Sequence, residues 1–323
     1  GRAAALTPTL LLPRRLPEST LAEAAELAEV TLRDETAPMM VSEAAAALSS
    51  YDAILPTLGD AFRAEAFEGA PHRATVLANF GVGYNHIDVA AARAAGLIVT
   101  NTPGAVTDAT ADIALTLMLM TCRRAGEGER MLRAGAWDGW QPTQMLGLHM
   151  TGKVLGVVGM GRIGKAIAQR AHFGFGMEVV FHNRSQVPDF GVPARQLETL
   201  EDVMAEADVV VLAVPAAPET RHLIGVEALS AMKPAAHLVN IARGDIVDEA
   251  ALIDALESGR IAGAGLDVYE FEPQVPERLM RLENAVLLPH LGTAALEVRE
   301  AMGRMALANL RAVFAGEDPP NPV

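Results

Sequence analysis

The apolar positions of this chain fall in short runs, separated by longer stretches in which Ala, Leu and Glu recur at helical spacing. Such runs read as strands buried on both faces, and their alternation with helices predicts an α/β fold on parallel sheets. In the first third, strands are expected at Thr9–Leu12, Val30–Arg33, Ala53–Pro56, Thr75–Asn79 and Leu97–Thr100, with a helix over Leu21–Ala28 capped by Ser19. Five strand–helix units of this kind make a small doubly wound domain. A long helical region follows, from about Thr107 to Arg133. A second series of six strands is expected at Val154–Val158, Val179–Phe181, Val209–Ala213, His237–Ile241, Ala264–Val268 and Val286–Leu288. The last helix, about Ala294 to Phe314, has room to cross back over the first domain. Thr102-Pro103 and Leu288-Pro289 are the expected hinges, because a residue before proline is pushed out of helix. The Pro-rich tail, 318–323, is expected to fray.

Composition narrows the picture. The chain has 323 residues, half of them hydrophobic and a fifth charged, which excludes a disordered or collagen-like polymer and suggests two domains. Acidic residues outnumber basic ones by 40 to 26, for a net charge of −14. Such a surface repels phosphate backbones and anionic lipid, so neither nucleic acid nor membrane is an expected partner. A local cationic cluster can still hold an anionic substrate. Cys122 is the only cysteine, which rules out an intramolecular disulfide or a cysteine-based zinc site and fits a reducing, cytoplasmic setting. The strongest apolar run, Ile113–Met120, is eight residues long, against about 20 for a membrane span. It reads as a buried helix. Leu10–Leu12 is too short for the core of a signal peptide and reads as a first strand.

Candidate chemistry begins at Val154–Val158, which runs into Gly159-Met160-Gly161-Arg162-Ile163-Gly164 and then a helical stretch. Strand–GxGxxG–helix is a specific signal for a dinucleotide site, and six strands suit a Rossmann sheet. Gly159 permits the tight turn, Gly161 lets a pyrophosphate approach the backbone, and Gly164 lets helix and strand pack. The helix N-terminus, at Arg162 and Ile163, offers free N–H groups to the phosphates. About 20 residues on, an NAD site keeps a carboxylate for the ribose hydroxyls; here the second strand ends in Asn183-Arg184-Ser185. With no carboxylate to repel a 2′-phosphate and an arginine to meet one, NADPH is expected to be preferred, with NAD still possible.

Three polar residues stand just past consecutive strands of the second series: Arg243, Glu272 and His290. Ligands of open α/β sheets bind beyond the carboxyl ends of the strands, so all three can converge on one cleft. Reducing a 2-keto acid needs a hydride at the carbonyl carbon and a proton at its oxygen. A protonated histidine can supply the proton, and a neighbouring carboxylate keeps the imidazolium populated. An arginine can grip the substrate carboxylate and polarise the keto oxygen.

The residues now carry a resemblance. Gly81-Val82-Gly83-Tyr84-Asn85-His86-Ile87-Asp88, the Gly159–Gly164 loop, Ile241-Ala242-Arg243-Gly244, Asp267–Pro273 and Pro289-His290-Leu291-Gly292 together resemble the D-2-hydroxyacid dehydrogenase family, nearest to its NADPH-dependent glyoxylate/hydroxypyruvate reductases. The resemblance implies a Rossmann cofactor domain, 103–291, inserted in a discontinuous, flavodoxin-like substrate domain, 1–102 plus 292–323. It implies catalytic roles for Arg243, Glu272 and His290. The backbone of Val82 and Gly83 would hold the substrate carboxylate, Asp267 the nicotinamide carboxamide, and Thr110 would line the nicotinamide pocket. Val214, Pro215, Ala242 and Gly292 are expected to line the cofactor as well. A homodimer through the cofactor domains is implied, with Trp140 of Trp137-Asp138-Gly139-Trp140 a candidate to reach the partner's substrate.

Asp112 stands where many members have Glu. The absence of the usual Asp near Asn183 means that the NAD preference of other members does not carry over. Glu272, rather than a glutamine, sets the chain apart from formate dehydrogenases of this fold. The expected reactions are glyoxylate to glycolate and hydroxypyruvate to D-glycerate. 2-Ketogluconate or another D-2-hydroxy acid is the alternative, and a dehydrogenase-like regulator is the alternative from a different class.

Overall fold

A computed structural model of the chain describes residues 6–69 and 71–323. Two compact units emerge, Gly1–Val106 with Ala294–Val323, and Thr107–Thr293. The first unit holds five strands, β1 (Thr9–Leu12), β2 (Glu29–Leu32), β3 (Ala53–Ile54), β4 (Val76–Ala78) and β5 (Ile98–Thr100), all paired in parallel in the order β2-β1-β3-β4-β5. That order is the flavodoxin-like one. Its connecting helices are α1 (Glu18–Leu27), α2 (Val41–Ser50) and α3 (Val89–Ala94).

Two expectations change here. Helix α1 starts earlier than Leu21, with Pro17 in extended geometry as its cap; Ser19 lies inside the first turn, and its hydroxyl bonds Glu300 instead. Among the described residues between β3 and β4 there is no α-helix, only a 3-10 turn at Ala64–Phe67. The chain is held in a turn just before it. The buried Asp60 carboxylate accepts the amides of Met39 and Thr57, at 2.7 Å each, and Gly59 takes φ 89°.

The second unit opens with α4 (Thr107–Cys122) and α5 (Ala125–Arg133). The single helical region read from the sequence is thus two helices. Arg124 between them adopts φ 54°, and the terminal carbonyl of Cys122 accepts the N–H of Leu148 at 2.8 Å rather than continuing the helical ladder. Helix α4 buries Ala111, Ala114, Leu117 and Met118, as its apolar run predicts. The sheet comprises β6 (Val154–Val158), β7 (Glu178–His182), β8 (Ala194–Gln196), β9 (Val209–Leu212), β10 (His237–Asn240), β11 (Gly263–Leu266) and β12 (Ala285–Leu287). It is covered by α6 (Arg162–Phe175), α7 (Leu200–Glu206), α8 (Val226–Ala231), α9 (Glu249–Glu257) and the single turn α10 (Glu277–Met280).

The strand order β12-β11-β10-β9-β6-β7-β8 contains the Rossmann order 3-2-1-4-5-6 across β8, β7, β6, β9, β10 and β11, with β12 added at the edge. The sheet therefore has seven strands, not six. The extra one, β8, is a partly exposed edge strand with Arg195 at its centre, so no apolar run announced it. The sheet's order reverses between β6 and β9, and the glycine loop follows β6 at that point. Arg243, Glu272 and His290 follow β10, β11 and β12, three neighbours in the sheet.

Helix α11 (Leu296–Phe314) belongs to the first unit, where Ala306, Leu307 and Leu310 pack with Leu10, Leu12 and Leu55. The expected frayed tail is instead fastened. Asn321 accepts the Asn101 N–H at 3.2 Å through its carbonyl, Val323 donates its N–H to Val99, and the Asn321 N–H bonds the buried Asn309. Proline there removes donors but does not prevent these edge contacts.

Candidate active site

The glycine loop has the shape that its sequence dictates. Gly159 adopts φ 94°, and a Cβ there would lie 2.6 Å from the Val214 side chain. A Cβ on Gly164 would lie 2.3 Å from the Gly159 carbonyl oxygen, so only glycine allows α6 this close to β6. A Cβ on Gly161 would meet nothing within 4 Å: the backbone borders open space at the N-terminus of α6. The first-turn N–H groups of Arg162, Ile163 and Gly164 have no carbonyl of their own helix to bond. Tight turn, open central glycine and free helix N-terminus are the features a pyrophosphate requires.

The end of β7 carries Asn183, Arg184 and Ser185 in place of a carboxylate. The Asn183 amide oxygen accepts the Met160 N–H at 2.9 Å and so caps the glycine loop, while its NH2 group donates to Ser185. Arg184 is 90% exposed and lies 3.3 Å from Glu219, itself 60% exposed, in the 3-10 turn after β9. Pro215 accepts the Thr220 hydroxyl, which fixes that turn beside Val214.

His290 and Glu272 meet. The imidazole Nδ1 lies 2.9 Å from Glu272 Oε2, while the Tyr269 N–H donates to Glu272 Oε1 at 3.0 Å. Burial alone would raise the Glu272 carboxyl, but the His290 hydrogen bond and charge, the Tyr269 amide and Arg243 outweigh it. The carboxyl is held below its ordinary range. Arg243 is half-buried, with Nη1 donating to the Ala242 carbonyl at 2.7 Å. Burial lowers its pKa, opposed by the charges of Glu272 and Asp245. Gly244 explains how the segments approach: a Cβ there would sit 1.9 Å from the Tyr269 carbonyl carbon. The sequence therefore brings the arginine loop into backbone contact with the loop that carries Glu272.

His290 has φ 55°, a left-handed conformation that costs a non-glycine residue roughly 1–2 kcal/mol. Asp267 holds it there. One carboxylate oxygen accepts the Leu291 N–H at 2.6 Å and the other the Gly292 N–H at 2.9 Å. Burial raises the Asp267 carboxyl against the pull of these amides and of His290. Thr110, buried on α4, lies against Gly292; a Cβ there would be 3.6 Å from its hydroxyl.

Within the first unit, the Gly81–Gly83 loop is stitched by its carbonyls. Asn79 donates to Gly81 and Gly83, at 3.1 and 2.9 Å, and Asn101 donates to Val82 at 3.1 Å. Among the described residues the N–H groups of Val82 and Gly83 have no protein acceptor, leaving two amides available to an anion. Trp140 is 80% exposed and is not brought to the His290–Glu272 pair.

Residues 115–292 match the family model for the D-isomer specific 2-hydroxyacid dehydrogenase NAD binding domain. That match spans more than half of the chain. The chain belongs to the D-isomer specific 2-hydroxyacid dehydrogenases. A glyoxylate reductase of Thermococcus kodakarensis is 43% identical over 98% of this chain and 96% of its own length. A glycerate dehydrogenase of Hyphomicrobium methylovorum is 36% identical over 96% and 97%. Among solved structures, an NADPH-dependent glyoxylate/hydroxypyruvate reductase of Sinorhizobium meliloti, in complex with NADP and malonate, is 35% identical with a TM-score of 0.87, covering 98% of this chain and 97% of that one.

This dehydrogenase also uses residues that the sequence did not single out. Tyr269 donates its hydroxyl to the carbonyls of Leu266 and Leu288, at 3.2 and 2.8 Å, tying together the ends of β11 and β12. Glu219 stands 35 residues from the arginine it pairs with, in a segment with no periodic or motif signal. Among the described residues of the dehydrogenase no helix is long and apolar enough to cross a membrane.

Proposed function

We propose that the enzyme reduces small 2-keto acids, glyoxylate to glycolate and hydroxypyruvate to D-glycerate, with NADPH preferred over NADH. The observation that carries this reading is the 2.9 Å His290–Glu272 pair, in the same unit as Arg243 and the glycine loop. The names of the relatives support the substrate class.

A reduced nicotinamide dinucleotide, when bound, supplies the hydride. Gly159, Gly161, Arg162, Ile163 and Gly164 receive its pyrophosphate, and Asn183, Arg184 and Ser185 face its adenosine ribose. Val214, Pro215, Thr110, Ala242 and Asp267, in the Rossmann domain assigned to 103–291, line the remainder together with Gly292. His290 donates its proton to the carbonyl oxygen as that oxygen gains charge. Glu272, ionised through the neutral range, bonds His290 Nδ1 and orients the ring for the transfer. Arg243 holds the substrate carboxylate and polarises the keto oxygen. Val82 and Gly83, in the substrate domain assigned to 1–102 and 292–323, offer amides to the carboxylate. The same reading includes a homodimer, supported by the exposed apolar side chains of Leu132, Trp137, Trp140 and Leu146 along one stretch of chain.

The test is a steady-state panel of 2-keto acids with each cofactor. Glyoxylate and hydroxypyruvate should be turned over, faster with NADPH at subsaturating cofactor. Turnover of 2-ketogluconate alone would move the substrate assignment, and no turnover of any 2-keto acid would favour a regulatory protein.

Cofactor choice makes a sharper prediction. A charge-assisted bond to the 2′-phosphate is worth about 1.5–3 kcal/mol, or roughly 10- to 150-fold. At 90% exposure, and with Glu219 competing for the guanidinium, the effect belongs at the low end. Arg184→Ala should lower kcat/KM for NADPH about 10-fold and leave NADH within about twofold. Asn183→Asp should shift the ratio further toward NADH by repulsion. A wild-type preference for NADH, or an unchanged ratio in Arg184→Ala, would refute the NADPH reading.

A further inference from the structure

A second histidine–carboxylate pair lies in the Rossmann unit, outside the residues given roles above. His222 follows the turn after β9 and adopts φ 52°; its Nε2 makes a short hydrogen bond to Glu270 Oε1. The Glu270 side chain is only 7% exposed. Its other oxygen accepts the Glu249 N–H at 3.2 Å, and the Glu249 carboxylate in return accepts the Glu270 N–H at 3.1 Å. Burial raises the Glu249 carboxyl; the Glu270 amide opposes this and the Glu270 charge adds to it. Arg221 stands 3.9 Å from Glu270, at the edge of ion-pair range, and the His222 N–H donates to the Asp245 carbonyl at 2.7 Å.

These bonds join three loops. One carries His222, the second runs from Arg243 to Glu249, and the third runs from Tyr269 to Glu272. Two buried carboxylates facing one another are a poor way to gain stability, because apolar side chains of similar volume serve as well or better. What reciprocal carboxylate–amide bonds do supply is a fixed relation between two backbones. Here those backbones are already in contact at Gly244, where even a Cβ has no room. Glu270 is two residues before Glu272, and Glu249 is six residues after Arg243.

We propose that His222 and Glu270 are positioning residues for the reaction: they hold the segment carrying Glu272 in register with the segment carrying Arg243. The inference rests on the roles assigned above to Glu272 and Arg243. Glu270 Oε1 takes the acceptor role and His222 Nε2 the donor role in this bond, so a side chain that replaces this N–H should retain the effect and one that cannot should lose it. Misplacement of a reacting group by about 1 Å costs up to about 100-fold in rate, and a partial displacement should cost less.

The experiment is a double-mutant cycle on the full chain, read as kcat and KM for glyoxylate at saturating NADPH, with NADPH affinity and thermal midpoint measured alongside. His222→Leu should lower kcat about 10-fold with NADPH affinity unchanged, and His222→Gln, which keeps an N–H donor, should recover most of it. In the Glu272→Gln background His222→Leu should cost less than about twofold, because residues that act through one another are not additive. Should His222→Leu not fold, His222→Asn, whose amide is too short to reach Glu270, takes its place. Wild-type kcat in the disrupting variant, or an equal loss in both backgrounds, overturns the positioning role alone. Wild-type kcat in Glu272→Gln overturns the assigned active site, and this inference falls with it.

Discussion

His290→Ala is expected to lower kcat for keto-acid reduction by about 100-fold or more, with cofactor affinity little changed, because general acid catalysis contributes about 10²–10⁴. The imidazole is only a third exposed and has Glu272 as its side-chain partner. Removing it takes away the proton donor and leaves the carboxylate with the Tyr269 amide alone. The backbone should survive, since the loop is fastened by Asp267 through Leu291 and Gly292 rather than by the imidazole. Alanine at φ 55° keeps the left-handed strain, so a companion variant is informative. His290→Asn suits that backbone better, because Asn tolerates the left-handed region, yet it has no titrating proton. Both variants should lose the same activity although Asn should be the more stable. If His290→Asn works at near wild-type rate, the loss in alanine is a loop defect and His290 is not the acid.

Much of this architecture was legible because its signals are local. Strands β6 and β9, and β1 from Leu10 to Leu12, are buried almost throughout, so each reads as an apolar run. The glycine loop was legible for the same reason: its turn, its close approach and its helix start all lie within six residues. Features that depend on a distant partner were not. Strand β8 is defined by pairing with β7, not by its own three residues. Asn183 was visible as a missing carboxylate, but its cap on Met160 spans 23 residues, and Glu219 reaches Arg184 across 35. Ser19 looked like a cap because local chemistry favours it there; tertiary contact with Glu300 and the fixed φ of Pro17 decided otherwise. The Glu272–His290 pair was inferred from chain position, whereas the Asp267 clamp that orients His290 needed coordinates.

Arg243→Lys is expected to be far from conservative, with a higher KM for the keto acid, a lower kcat, and kcat/KM reduced by roughly 10- to 150-fold. The guanidinium is half-buried and already spends Nη1 on the Ala242 carbonyl. It can do so and still present a planar pair of donors to a carboxylate; an ammonium is a point charge that cannot do both. Burial also acts differently on the two cations. It lowers the pKa of Arg243, but from so high a value that the guanidinium stays charged, helped by Glu272 and Asp245. A lysine in the same place starts about two units lower and loses charge more readily on desolvation. The variant should therefore remain more active at lower pH within the neutral range and fall further behind wild type as pH rises. Measuring kcat and KM at several pH values separates the two causes: a constant deficit reports lost bidentate geometry, and a deficit that grows with pH adds neutralisation of the lysine. Kinetics equal to wild type throughout would remove Arg243 from substrate recognition. The carboxylate would then have to be held by other donors, and the amides of Val82 and Gly83 would be the next to examine, because among the described residues they are free of protein acceptors.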